Sequence, residues 1–161
     1  MRKFKKVLIA VDFSEITRDV VGVGCHFARE YGAQVDFVHV VEEGFLLLGL
    51  DGMALPAEDL ESIQAVVEAR KAAGREKMEE IEAIARKYDL TRIETTIVEG
   101  HPATTIVEEA HERHADAIFV GSHGWSGIKS FLMGSVASKV LKNARCSVMI
   151  IRPEIKENED D

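Results

Sequence analysis

Four residues in the second half of the chain have the types and spacing of a phosphate-binding segment. Gly121 and Gly124 are followed, after nine further residues, by Gly134 and Ser135. Glycine has no Cβ atom, so the backbone at such positions can approach a ligand closely. Gly134 and Ser135 stand where a helix is predicted to begin, and the free amides and dipole of a helix start attract anions. The pattern favours phosphate binding, and the alternative is a turn followed by an ordinary helix cap.

Five other polar residues are weaker candidates for chemistry. Asp12 ends a predicted strand and could act as a general base, but a lone carboxylate there more often orients a ligand or caps a helix. His123 and Lys129 lie inside the glycine-flanked segment, where each either reaches a phosphate or faces solvent. His111 and His114 have a spacing that can bind a metal. Their place near the end of a predicted helix favours surface histidines instead.

The standard nucleotide-binding and hydrolytic motifs are missing from the sequence. Gly22 and Gly24 fall in the middle of a predicted helix, and Phe27 stands where the dinucleotide fingerprint needs its third glycine. The chain contains neither a phosphate loop with its lysine nor a nucleophile elbow. The sequence therefore indicates binding more than a standard hydrolytic mechanism.

Composition narrows the class of protein. The chain has 161 residues and a formal net charge of −8, which argues against a nucleic-acid partner and against an anionic membrane surface. Cys25 and Cys146 lie in apolar segments and are interpreted as reduced, packed thiols. The apolar run Val7–Val11 is too short for a signal peptide or a membrane span. We therefore expect a cytoplasmic protein.

The hydrophobic pattern alternates between strands and helices. Val7–Val11 predicts a strand buried on both faces, and the next helix is expected to have Ser14 as its N-cap and to end at Gly32. A helix is predicted from about residue 60 to 88, with Gly74 as a candidate break, and Pro102 is expected at the first position of the next helix. Further strands are predicted at 35–41, 93–99, 116–121 and 147–152, and a last helix from 134 to about 144.

This order of elements predicts one α/β domain over residues 1–153. Alternating strands and helices favour a doubly wound parallel sheet with helices on both faces. Ligands of such sheets bind at the carboxyl ends of the strands, where the strand order reverses. Residues 42–59 are predicted to form a long loop, and the acidic tail 154–161 is predicted to be disordered.

The glycine pattern also resembles a known signature. Gly-x2-Gly-x9-Gly-Ser is similar to the motif of the ATP-binding branch of the universal stress proteins. Segments that resemble the same family occur in the expected order at Val11–Glu15, His39–Val41, Gly100–Ala103 and Cys146–Arg152. The resemblance extends from about Phe4 to Pro153.

The resemblance implies a Rossmann-like five-stranded sheet of order 3-2-1-4-5 that binds ATP. Asp12 is then expected near the ribose or a metal-bridged phosphate, the backbone of Val40 at the adenine, and Val120 at the base or sugar. Mg²⁺ or Mn²⁺ is expected to be carried by the phosphates, with few protein ligands. The full implied set of nucleotide-binding residues is Ala10, Val11, Asp12, Val40, Val120, Gly121, Gly124, Gly134, Ser135 and Val136.

The family resemblance also implies a homodimer, formed by antiparallel pairing of the last strand, Ser147–Arg152. Two features depart from the family pattern. Trp125 follows the second glycine, where many relatives have a basic or small polar residue. The stretch Phe45–Leu50, with Met53 and Leu55, is unusually apolar for a loop, and it is a candidate either to pack on the dimer or to cover the nucleotide.

Three functions are consistent with the sequence. The first is a nucleotide-dependent switch, in which ATP changes the surface of residues 122–133 for an unknown protein partner. The second is a slow ATP hydrolase or nucleotidyl transferase in the same cleft, assisted by Asp12, His123 or Lys129. The third is a structural dimer that binds no nucleotide.

Overall fold

The protein contains a five-stranded parallel sheet in the order β3-β2-β1-β4-β5. The structure is a computed structural model that describes residues 3–42, 57–124 and 133–153, without the side chains of 57–60. The elements are β1 (Lys6–Ala10), α1 (Thr17–Tyr31), β2 (Gln34–Val41), α2 (Ala57–Arg86), β3 (Ile93–Glu99), α3 (Pro102–Glu112), β4 (Ala117–Gly121), α4 (Ser135–Asn143) and β5 (Ser147–Ile151). The predicted fold class and strand order are confirmed.

The helices divide evenly between the two faces of the sheet. One core cluster packs strand side chains such as Ile9 and Phe37 against α1 and α2. The other packs Leu8 and Val38 against α3 and α4. The chain therefore leaves β1 towards one face and β4 towards the other. Because β1 and β4 are neighbours in the sheet, a crevice opens between their carboxyl ends.

The ends of α1 and α3 follow the predicted signals, with one correction. Gly32 closes α1 in the left-handed conformation at φ 62°, and Pro102 opens α3. The expectation that Ser14 caps α1 is wrong, because Ile16 occupies the N-cap position. The amide and the hydroxyl of Ser14 both donate to Oδ1 of Asp12, so this side chain is engaged in the turn that follows β1.

Helix α2 is one continuous helix of 30 residues, so the candidate break at Gly74 is wrong. A Cβ atom at Gly74 would lie 3.2 Å from Cδ1 of Ile97 and 3.5 Å from Cδ2 of His39. The glycine therefore allows α2 to approach β2 and β3 closely. The helix also begins at Ala57, inside the predicted loop.

Several predictions concern parts of the chain outside the described residues. They are the rest of the predicted loop, including its apolar stretch at 45–50, the departure at Trp125, the phosphate contact of Lys129 and the disorder of residues 154–161.

The edge position of β3 agrees with the strand order that the family resemblance implied. β3 forms one edge of the sheet and its side chains are only partly covered.

Cys25 and Cys146 are both free, and burial raises the pKa of the Cys25 thiol to about 12. That thiol therefore stays protonated and packs as a small apolar group. In the three described ranges, no helix combines the length and apolar character that a membrane crossing requires.

Two glycines of α1 provide a test of this packing. A Cβ atom at Gly24 would lie 2.5 Å from Cδ1 and 2.9 Å from Cγ1 of Ile9, whereas one at Gly22 would meet only the Tyr88 hydroxyl at 3.4 Å. We expect Gly24→Ala to lower the free energy of unfolding by about 1–3 kcal/mol through overpacking. Gly22→Ala should raise it by up to about 1 kcal/mol through helix propensity. Urea unfolding followed by circular dichroism measures both, and equal effects at the two positions would contradict this account of how α1 packs on β1.

Candidate functional site

A cavity of about 640 Å³ lies at the carboxyl edge of the sheet, at the crevice between β1 and β4. This volume falls within the usual range for a small-molecule site. All ten residues that the family resemblance implied for nucleotide binding line this one cavity: Ala10, Val11, Asp12, Val40, Val120, Gly121, Gly124, Gly134, Ser135 and Val136. Their contact with a nucleotide stays a prediction.

Asp12 organises the turn between β1 and α1. Its Oδ1 atom accepts hydrogen bonds from the amide and hydroxyl of Ser14, at 3.0 and 2.5 Å, and from the Thr17 hydroxyl at 3.1 Å. Its Oδ2 atom faces the glycine segment, because a Cβ atom at Gly124 would lie 2.7 Å from it. The carboxylate therefore has a structural role at the start of α1, and it also borders the cavity.

The two described ends of the glycine segment are held together by backbone hydrogen bonds. The Gly134 amide donates to the Ser122 carbonyl at 2.7 Å, and the Ser122 amide donates to the Ile151 carbonyl at the end of β5, also at 2.7 Å. A Cβ atom at Gly134 would lie only 2.9 Å from the same Ser122 oxygen. Gly134 therefore permits the close approach of two chain segments, and its amide is already engaged within the protein.

The anion-attracting amides of this site come from the residues that follow Gly134. The first bond within α4 runs from the Ser138 amide to the Gly134 carbonyl at 3.0 Å. The amides of Ser135, Val136 and Ala137 precede that bond and belong to the helix start, where N–H groups have no intrahelical acceptor. These three residues line the cavity, so the helix start offers it a partial positive charge.

The wall formed by α2 was not anticipated from the sequence. Arg70, Ala73, Gly74 and Lys77 line the cavity from this helix. Phe13 also lines the cavity. Its φ is 61°, a left-handed conformation that is unusual for a bulky residue. Its ring centroid is 4.2 Å from that of His39 and 5.3 Å from Nζ of Lys77. These positions depend on how far along β2 the helix packs, and the sequence contains no local signal for that register.

His39 has a defined protonation pattern. Its Nδ1 atom lies 2.8 Å from the Val11 carbonyl oxygen, and a carbonyl only accepts, so Nδ1 carries the hydrogen. Burial lowers the pKa of His39 below its ordinary value of 6.5, with a smaller lowering from Lys77. The bond to Val11 and the charge of Asp12 raise the pKa in opposition. The ring is therefore neutral near pH 7, and Nε2 is left as an acceptor.

The other histidine candidates are His111, His114 and His123. Within the described part of the chain, no cluster of three or more metal-binding side chains occurs. His111 has Nε2 3.5 Å from an Arg145 nitrogen on another part of the structure. His123 lines the cavity, and its Nδ1 lies 2.9 Å from the Ser122 hydroxyl.

The fold and the cavity together define a class. This is a doubly wound α/β protein with a ligand-sized crevice at the point where the strand order reverses, bordered by a helix start that favours anions.

Comparison with known proteins identifies the family. The family model described as the universal stress protein family matches residues 3–152. The chain is 32% identical over 154 residues to universal stress protein MJ0531 of Methanocaldococcus jannaschii. The aligned region covers 96% of this chain and 85% of that protein. The chain belongs to the universal stress protein family.

Two solved structures show the same fold. Universal stress protein UspA from Lactobacillus plantarum superposes with a TM-score of 0.83 at 20% identity, covering 94% of this chain and 100% of that one. The universal stress protein from Archaeoglobus fulgidus in complex with dAMP has a TM-score of 0.61 at 27% identity, covering 93% and 99%.

The lowered pKa of His39 predicts a pH dependence of stability. The unfolded histidine takes up a proton as the pH falls through about 6.5, whereas the folded one resists protonation until a lower pH. The contribution of His39 to the free energy of unfolding should therefore be fully present above about pH 6.5, and it should be lost progressively as the pH falls below that value. His39→Gln should reduce this slope, and His26→Gln, at an exposed position, should not. Urea unfolding across the window measures it, and an unchanged slope in His39→Gln would contradict the assignment.

Proposed function

We propose that this protein binds ATP in the cavity and acts in the cytoplasm as a nucleotide-dependent switch. The observation that carries the proposal is the start of α4, where three consecutive amides precede the first intrahelical bond and their residues border the cavity. Polyphosphate is the chemistry that such a helix start favours. Gly124 leaves the space beside Oδ2 of Asp12 open, and Gly134 lets the helix start lie close to the Ser122 carbonyl.

The proposed binding mode uses the ten cavity residues named above. The phosphates lie at the amides of Ser135 and Val136, beside Gly124. The ribose lies over the ends of β1 and β4, and the adenine reaches the backbone of Val40. A complex of a relative with dAMP supports an adenine nucleotide as the ligand class, and the choice of ATP rests on the glycine segment.

A divalent metal fits this mode only as a companion of the phosphates. The described carboxylates that line the cavity are Asp12 and Glu42, and Oδ1 of Asp12 already accepts three hydrogen bonds. Mg²⁺ or Mn²⁺ would take most of its ligands from phosphate and water, as Mg²⁺ commonly does.

We favour a switch over a hydrolase because of what Asp12 does. A general base needs its oxygen near the attacking water, whereas Oδ1 of this carboxylate holds the turn before α1. The slow hydrolase or nucleotidyl transferase remains the competing function, through Oδ2 of Asp12 or through His123.

Nucleotide binding is tested by calorimetric titration with ATP and Mg²⁺. We expect saturable binding that Gly124→Val abolishes, because its Cβ atom would meet Oδ2 of Asp12 at 2.7 Å. Gly22→Ala, at a glycine that does not line the cavity, is the control and should bind like the parent. Absence of binding at millimolar ATP would refute the proposal. Steady phosphate release that Asp12→Ala abolishes would favour the hydrolase over the switch.

We also propose a homodimer through β5, continuing to Arg152. β5 is the other edge strand of the sheet, and Met149 is its exposed side chain. Pairing would cover an edge that otherwise invites association. The protein partner of the switch is a separate and unidentified molecule.

The dimer is tested at its edge strand. Met149→Lys places two like charges close together across a two-fold axis, so the population of dimer should fall. Thr95→Lys, exposed on the opposite edge strand β3, introduces the same charge and should leave the dimer intact. Sedimentation equilibrium measures both variants, and a parent protein that is monomeric at micromolar concentration would exclude this interface.

A further inference from the structure

The ladder of backbone hydrogen bonds between β1 and β2 ends one bond earlier than its register allows. In a parallel pair, every second residue of a strand directs both its amide and its carbonyl to the same neighbouring strand. The Gln34 amide of β2 donates to the Lys5 carbonyl at 2.8 Å, and the paired register continues along both strands. Six residues further along each strand, the Val40 amide is the next donor and the Val11 carbonyl the next acceptor.

Val40 and Val11 do not make this bond. No backbone hydrogen bond joins these two described residues, and the Val11 carbonyl accepts the Nδ1 hydrogen of His39 at 2.8 Å instead. The Val11 amide still donates to the Val38 carbonyl at 2.9 Å, so the two strands remain adjacent up to this point. A side chain of β2 therefore occupies the acceptor that the backbone of β2 would otherwise use. The Val40 amide is left pointing past the end of β1, and Val40 lines the cavity.

The His39 ring is packed from two further sides. Its centroid lies 4.2 Å from that of Phe13, and a Cβ atom at Gly74 of α2 would lie 3.5 Å from Cδ2 of His39. Phe13 directly follows Asp12 and has φ at 61°, so the backbone is in an unusual conformation where the two rings meet. The imidazole is therefore packed against the turn after β1 and against α2 in the orientation that directs Nδ1 at the Val11 carbonyl.

We propose that His39 is a positioning residue that keeps the ladder open and so leaves the Val40 amide available to adenine. This inference rests on the proposed nucleotide function. The amide and carbonyl of one residue supply one donor and one acceptor, which match the N1 acceptor and the 6-amino donor of adenine. Val11 is buried, so without the imidazole its carbonyl would be unsatisfied, and this cost favours a bond from the Val40 amide. The donor for adenine would then be lost.

Amide hydrogen exchange followed by NMR tests the ladder in the absence of nucleotide. His39→Leu removes the donor, whereas His39→Asn has nearly the shape of leucine but keeps an N–H donor at the position of Nδ1. We expect the Val40 amide to exchange at least about tenfold more slowly in His39→Leu than in the parent or in His39→Asn, because only the leucine variant bonds it to Val11. Equal exchange in all three proteins would overturn the proposal.

Base selectivity tests the consequence for binding. Inosine 5′-triphosphate carries a hydrogen on N1 and would oppose the Val40 amide with a second donor. We expect calorimetry to show that the parent prefers ATP to inosine 5′-triphosphate by roughly tenfold. His39→Leu should bring the two affinities to within about twofold of each other, and His39→Asn should retain most of the preference. A purely structural role of the imidazole would lower both affinities together and leave the preference unchanged.

His26→Leu is the matched control, because His26 is exposed and does not line the cavity. It should change neither the exchange of the Val40 amide nor the preference for ATP, and urea unfolding of each variant reveals any general loss of the fold. If His39→Asn and His39→Leu lose the preference equally, the proposal is refuted and nucleotide binding stands. If the parent binds no ATP, the proposed function fails, and amide exchange still decides whether His39 keeps the ladder open.

Discussion

Parallel strands cannot be joined by tight turns, and this constraint shapes the whole molecule. Each strand has to be followed by a chain segment that crosses a face of the sheet. This segment carries the chain from the carboxyl edge back to the amino edge, where the next strand begins. β1 lies in the middle, paired with β2 on one side and β4 on the other. The segments after β1 and β4 cross opposite faces. The crevice is therefore a result of the topology, and side chains only decide what it accepts.

The chemistry of the crevice depends on how the two central strands end. After β1, the Asp12 carboxylate accepts the hydrogen bonds that form the turn into α1. After β4, the Ser122 carbonyl accepts the Gly134 amide, which brings the start of α4 back to the sheet. One end supplies a negative side chain and the other supplies backbone amides. Both border the same cavity, and glycine at position 124 leaves the space beside Oδ2 of Asp12 open.

Features with local causes could be predicted from the sequence, and features set by distant contacts could not. The β-branched run at Val7–Val11, the left-handed Gly32 and the N-terminal Pro102 each act within a few residues, and each was predicted correctly. Ser14 has the residue type of a cap, but the nearby Asp12 binds its amide and hydroxyl. Gly74 has the residue type of a break, but its absent side chain serves the contact with His39 and Ile97. The wall formed by α2 was missed for the same reason, because helical periodicity shows which residues share a face but not the position of that face along β2.

The two 2.7 Å backbone bonds of Ser122 connect parts of the molecule that look separate in the sequence. Through them, the first residues of α4 and the final carbonyl of β5 belong to one short hydrogen-bonded chain, from Gly134 through Ser122 to Ile151. Anything that orders the start of α4 also restrains the end of the outermost strand, and a neighbour added to that strand restrains the helix start. Ser122 is therefore the residue through which a shift of the helix start would be passed to the end of this edge strand.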